Sequence, residues 1–169
     1  MDDAEERDLV ALLDRTEFHE ITMRGQTAKR TSRHYGLRYD YESWQVTPTD
    51  ALPHELEWVR ERAAGLIDRP PDALVETLLS KYPPGATIGW HRDAPMFGAK
   101  VVGVSLLAGC RMRFQRKVGP ERRVFEQLLE PRSAYVLGGA ARSSWQHSIP
   151  PVKELRYSIT FRTLRRSDD

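Results

Sequence analysis

His91 and Asp93, in Ile88-Gly89-Trp90-His91-Arg92-Asp93, set an imidazole and a carboxylate two residues apart. On extended backbone that spacing points both side chains to one face. The pair can therefore offer two ligands to one metal ion. A third ligand must come from elsewhere, and the candidate is His147 in Trp145-Gln146-His147-Ser148. Two imidazoles and one carboxylate on one side of an ion leave the opposite positions open, the ligand set of non-haem Fe(II) oxygenases. A His-x-Asp by itself is weak, because a surface His beside an Asp is common.

A second feature adds to it. Arg156-Tyr157-Ser158-Ile159-Thr160-Phe161-Arg162 alternates strictly, with Tyr157, Ile159 and Phe161 on one face and Arg156, Ser158, Thr160 and Arg162 on the other. A strand that buries its aromatic face and turns arginines and hydroxyls the other way suits an anion site. Two guanidinium forks suit a dicarboxylate.

Tyr82, eight residues, His91-x-Asp93, then His147, then Arg156, five residues and Arg162: this order resembles the AlkB family of Fe(II)- and 2-oxoglutarate-dependent dioxygenases. The resemblance runs over about residues 30 to 164. It implies a mainly β fold with flanking α-helices, built on a double-stranded β-helix (jelly-roll) core. It implies iron on His91, Asp93 and His147, with 2-oxoglutarate and O₂ as co-substrates. Arg156 would pair with the distal carboxylate of 2-oxoglutarate, Tyr82 and Ser158 would hydrogen-bond nearby, and Arg162 would sit by the metal-proximal end and the substrate. The implied reaction is oxidative dealkylation of N-alkylated bases, releasing succinate, CO₂ and an aldehyde. The implied partner is an alkylated single-stranded nucleic acid. Three positions depart from the family pattern: Ser80 and Ser158 stand where Asn is usual, and Pro95 stands where repair members carry an acid.

The elements that must position these residues can be read along the chain. A helix is expected over Ala4 to Leu13, with acids in its first turn and Leu9, Leu12 and Leu13 inward. A strand is expected from Phe18 to Met23. Arg24, Lys29, Arg30, Arg33 and Arg38 then carry positive charge through a turn-rich region. Arg33-His34-Tyr35-Gly36-Leu37-Arg38-Tyr39-Asp40-Tyr41 interleaves bases with aromatics, which suits either single-strand binding or a solvated tyrosine-bearing strand. Tyr39, Tyr41 and Arg33 are the candidate substrate contacts, with Trp90 and Trp145 as pocket walls. Thr47 to Asp50 reads as a loop. Pro53 to about Ile67 reads as the longest helix, with Leu56, Val59, Ala63 and Leu66 inward, ended by Pro70-Pro71. From Ala73 the pattern is short strands: Leu74–Tyr82, Ile88–His91, Lys100–Leu107, Cys110–Arg116, Arg123–Leu128, Ser133–Leu137 and Leu155–Leu164. Gly138-Gly139 gives a tight turn and then a loop or short helical turn that delivers His147. Basic residues around Cys110–Arg123 form either a phosphate-binding rim or a hairpin with a solvated face, the second being the commoner use of such charge.

One domain is expected over 169 residues, an N-terminal part to about residue 72 and a β-helix core over about 73–164. With 40% hydrophobic and 30% charged residues the composition is that of a globular chain, and no apolar run approaches a membrane span. The single Cys110 forbids an intrachain disulfide and fits a reducing cytoplasm. A monomer is expected. A net charge of +2 makes no strong case for nucleic acid, so two other readings stand beside dealkylation. One is an oxygenase acting on a protein or small molecule; the other is a non-catalytic β-sandwich binding module.

Overall fold

The computed structural model describes residues 1–23, 26–39 and 45–165, with no account of the side chains of Met23 and Gln26. Tyr41 and Arg24 therefore lie outside the described residues. Helix α1 (Asp3–Asp14) opens on a capping box: Asp2 accepts from the amides of Ala4 and Glu5, and Glu5 reaches back to the Asp2 amide. Its buried Leu9, Leu12 and Leu13 share one face at helical spacing. Strands β1 (His19–Met23), β2 (Gln26–Tyr39) and β3 (Val46–Pro48) follow, then a 3₁₀ turn over 54–56 and helix α2 (Glu57–Gly65). The rest is β4 (Glu76–Tyr82), β5 (Ile88–His91), β6 (Phe97–Leu106), β7 (Cys110–Val118), β8 (Glu121–Leu129), β9 (Ser133–Leu137), α3 (Gly139–Ser143), β10 (Gln146–Ile149) and β11 (Arg156–Leu164).

Three expectations change here. Thr47 and Pro48, expected in a loop, belong to β3, because they pair with Arg38 and Leu37 of β2. The basic region expected to be turn-rich is the 14-residue β2, because it pairs with β1 on one side and β4 on the other. Pairing on both edges outweighs weak local propensity. The second helix is shorter than the apolar stripe suggested. It enters through a 3₁₀ turn and ends at Gly65, leaving Leu66 more than half exposed.

The strands form two antiparallel sheets facing each other. The larger runs β1-β2-β4-β11-β6-β9, with β3 beside β2; the smaller runs β5-β10-β7-β8. Central strand β11 carries out its alternation: Tyr157, Ile159 and Phe161 are fully buried under α1 and α2, in a core with Leu79, Val102 and Val104. Burying each such side chain contributes roughly 1.5–3 kcal/mol. Arg156, Ser158 and Arg162 point the other way, into the space between the sheets, and are buried as well. Register fixes their neighbours: Arg156 lies opposite Tyr82, Ser158 between Ser80 and Ser105, Arg162 opposite Glu76. The pairing of two sheets through an open mouth is the double-stranded β-helix. Among the described residues no helix is long and apolar enough to cross a membrane.

Two glycines shape the mouth. Gly36 has φ +77°, and a Cβ there would meet the Val75 carbonyl oxygen at 2.2 Å. Its amide bonds Asp50 and the next amide bonds Val75, so β2 kinks at this point. Tyr35 packs on the helix side of the sheet, whereas Tyr39, four residues on, packs with Ala94 and Phe97. Unbroken alternation would put both on one face. Gly103 lets the ring of Tyr135, its partner on β9, lie across β6, since a Cβ would fall 2.2 Å from that ring.

Candidate metal centre and co-substrate pocket

β5 and β10 pair antiparallel with His91 opposite His147, so two strands distant in sequence bring their imidazoles to one point. The ring centroids are 4.2 Å apart. Asp93 follows β5 by two residues, and its Oδ1 lies 3.8 Å from His91 Nε2 and 3.6 Å from His147 Nε2. One donor atom from each residue lies within 4.8 Å of the other two. His91 Nδ1 is 2.8 Å from the Gly89 carbonyl oxygen. A carbonyl can only accept, so Nδ1 holds the proton and Nε2 keeps its lone pair free for a metal. His147 Nδ1 is buried and has no hydrogen-bond partner.

The second oxygen of Asp93 is taken. Arg162 donates from Nε to Asp93 Oδ2 at 2.9 Å and from Nη1 to Glu76 Oε2 at 2.7 Å. His34 Nδ1 lies 3.3 Å from the other Glu76 oxygen. A buried row His34, Glu76, Arg162, Asp93 thus runs from β2 across β4 and β11 to the triad. Burial works against the ionised Asp93, but Arg162 above all, then His147, holds its carboxyl well below the usual range. Burial lowers His91, and it lowers His147 to about 4, with the neighbouring imidazole adding to the effect. Two neutral imidazoles and one carboxylate with a free oxygen are the state a divalent ion needs. The site fits Fe(II), with His91 Nε2, His147 Nε2 and Asp93 Oδ1 as the atoms that could hold it.

Arg142, on α3, anchors the backbone that carries Asp93. Its guanidinium donates to the carbonyls of Asp93 (3.3 Å), Ala94 (2.9 Å) and Phe97 (3.1 Å). Beside this clamp a cleft of about 360 Å³ opens, lined by Tyr39, Arg92, Asp93, Ala94, Pro95, Arg142 and Ser143.

On the other side of Arg162 stands a second buried guanidinium. Arg156 is fully buried and donates from Nε and Nη2 to Ser105 Oγ at 3.1 and 2.7 Å, while its Nη1 has no partner. Its guanidinium stands 5.2 Å from the Tyr82 ring centroid. Tyr135 closes this end, its phenol pushed well above the ordinary range by burial, against the pull of Arg156.

The profile of the 2OG-Fe(II) oxygenase superfamily matches residues 10–162, nearly the whole chain. The chain belongs to that family. Within it the oxygenase is AlkB-like. It is 35% identical over 130 residues to the alpha-ketoglutarate-dependent dioxygenase AlkB of Salmonella typhimurium, a match covering 68% of this chain and 57% of that protein. It is 34% identical over 153 residues to an uncharacterized protein of Acanthamoeba polyphaga mimivirus, covering 80% and 70% of the two chains. The oxygenase thus spans little more than half the length of the bacterial relative. The solved structure of OsALKBH1 superposes with a TM-score of 0.68 at 16% identity, over 95% of this chain and 90% of that one, a likeness of fold. The family uses Fe(II), 2-oxoglutarate and O₂, and the iron, when bound, supplies the oxidising chemistry on O₂.

Several residues stand elsewhere than expected. Trp90 alternates with His91, so it faces outward on the small sheet, with the Arg113 guanidinium 5.7 Å from its ring. It is not a pocket wall. Trp145 shares the parity of His147 and packs against the inner cluster, edge-on to Phe125 at 5.2 Å. Arg33 lies over Tyr35 on the helix side of β2, bound to Asp50 and 2.9 Å from His19. It does not reach the cleft, because the kink at Gly36 separates its face from that of Tyr39. Arg162, expected beside co-substrate and substrate, has two of its nitrogens committed to Asp93 and Glu76. Sequence reasoning missed Glu76 and Arg142. Only Glu76 left a signal, an acid at an inward position of an otherwise apolar strand. A lone arginine after a Gly-Gly turn gives none.

Proposed function

We propose that the oxygenase removes N-alkyl groups from bases in single-stranded nucleic acid, with His91, Asp93 and His147 as iron ligands and Arg156, Tyr82 and Ser158 at the 2-oxoglutarate. The balanced reaction converts 2-oxoglutarate and O₂ to succinate and CO₂ while one oxygen atom enters a substrate C–H bond. A hydroxymethyl group on nitrogen then breaks its C–N bond, releasing formaldehyde and leaving N–H. The protein's part is placement: fixed ligands, a buried guanidinium for the co-substrate and a cleft that presents one C–H.

The observation that carries the nucleic-acid reading is the cleft beside Asp93, which Tyr39 and Arg92 both line. An aromatic face stacks on an unpaired base and a guanidinium neutralises phosphate. Beyond Trp145, Phe125 stacks on Phe114 at 4.6 Å and is 45% exposed, on a hairpin that also carries Arg116, Lys117, Arg122 and Arg123. A base reaching this cleft would have to be unpaired or flipped out. The free, buried Cys110 suits a reducing cytoplasm. A second reading, an oxygenase for a protein or small molecule, is favoured by Pro95, which lines the cleft where an acid would read a base's exocyclic amine.

The test is succinate formation with Fe(II) and ascorbate, with and without N-methylated single-stranded DNA or RNA. Dealkylation predicts succinate stimulated by the oligonucleotide, formaldehyde released in step, and binding that weakens steeply with salt. Turnover indifferent to every methylated oligonucleotide would reject dealkylation and favour the second reading.

A further inference from the structure

Three guanidinium groups converge between the sheets, and their partners differ. Arg162 is neutralised by two carboxylates, Asp93 and Glu76. Arg156 meets only the Ser105 hydroxyl. The third is Arg30 on β2, a residue of the basic run that the proposed function leaves unused. The register Thr31 opposite Lys81 sets Arg30 beside Tyr82 on the inner face. Its guanidinium stands 5.8 Å from the Tyr82 ring centroid, so one tyrosine ring has both Arg30 and Arg156 within cation–π range. Arg30 Nη1 reaches Ser80 Oγ at a long 3.3 Å, and Nε is buried with no hydrogen-bond partner. Among the described residues neither Arg30 nor Arg156 has a carboxylate partner.

Taking a cation out of water costs several kcal/mol unless an anion meets it. Two guanidinium groups on one ring, each with a buried N–H left unpaired, call for an anion that the described residues do not supply. Arg33, three residues on and facing the other way, shows the contrast: it has its own acid in Asp50. Through Ser80 the Arg30 guanidinium extends two residues along β4 from Tyr82 towards Glu76, the partner of Arg162.

We infer that Arg30 is the second guanidinium of the co-substrate site, clasping 2-oxoglutarate with Arg156, in the place that the chain order gives to Arg162. The inference rests on the assignment of Arg156 and Tyr82 to 2-oxoglutarate, and is independent of what the oxygenase dealkylates.

The test is calorimetric titration of 2-oxoglutarate into the full chain loaded with Mn(II), which reads binding without turnover. Arg30→Ala weakens 2-oxoglutarate by about tenfold to a hundredfold, the loss of one or two charge-assisted hydrogen bonds. Mn(II) affinity and the thermal midpoint of the metal-free protein stay at wild-type values, because Arg30 touches no ligand. Arg30→Lys recovers part of the affinity, keeping the charge but not the fork. Unchanged 2-oxoglutarate affinity in Arg30→Ala, with Arg156→Ala weakened, overturns the inference and leaves the pocket assigned. Unchanged affinity in both variants overturns the pocket assignment and the inference with it. A loss of Mn(II) affinity in either Arg30 variant marks a structural role and overturns it as well.

Discussion

Arg162→Met tests the buried row that supports the triad. The guanidinium is 10% exposed and lies between Glu76, 1% exposed, and Asp93, 5% exposed. Removing one member of a buried ion pair costs about 3–5 kcal/mol, because the partner is left charged and dry. Here two carboxylates are left, so the upper half of that range is expected. For a chain of 169 residues this amounts to roughly 8–20 °C in thermal midpoint. Linkage adds a sign that a packing defect would not show. In the wild type Asp93 sits below its unfolded pKa, so its contribution is complete above that value and is lost as pH falls through the folded one. In the variant Asp93 loses the guanidinium that does most to hold its carboxyl down, while burial still favours the neutral form, so it takes up its proton at a higher pH than in the wild type. His147, lowered to about 4 mainly by burial, destabilises both proteins as pH falls from about 6.5 towards 4. The free-energy gap between wild type and variant should therefore narrow as pH falls from 7 towards 4. Urea unfolding of the metal-free proteins across that range measures it. A gap that stays constant with pH, or a cost below about 1 kcal/mol, would refute the charge argument.

Asp93→Ala should abolish succinate formation, since it removes one of the three proposed ligands and one of the two carboxylates that hold Arg162. Full turnover by this variant would reject the triad. Gly36→Ala should destabilise the protein by more than 1 kcal/mol, because its positive φ and the Val75 carbonyl leave no place for a methyl group. Unfolding that matches the wild type would show that β2 can pair without the kink.

The sequence makes some of this legible and hides the rest for physical reasons. The alternation of β11 is readable because period two on one strand is a local property, and it divides Tyr157, Ile159 and Phe161 from Arg156, Ser158 and Arg162 without knowledge of neighbours. His91 and Asp93 are readable for the same reason. Their meeting with His147 depends on β5 pairing with β10 over a chain separation of more than fifty residues, which no local pattern encodes. The parity rule also rejects Trp90 as a pocket wall, since it must oppose His91. Parity fails for Arg33 and Tyr39, where it assigns one face to both and Gly36 separates them. The partners of Arg162, Arg30 and Arg142 depend on register between strands and helices, and only the folded chain fixes register.

Asp93 is held by Arg162, His91 by the Gly89 carbonyl and the backbone after Asp93 by Arg142. These supports are the protein's own hydrogen bonds and none of them runs through the ion, unlike the site of a small zinc domain, which the ion itself builds. Chelation should silence the oxygenase while leaving a folded, refillable protein. Its working fraction would then follow the supply of ferrous iron by simple saturation, rising and falling with cellular iron stores and with no refolding delay at either turn.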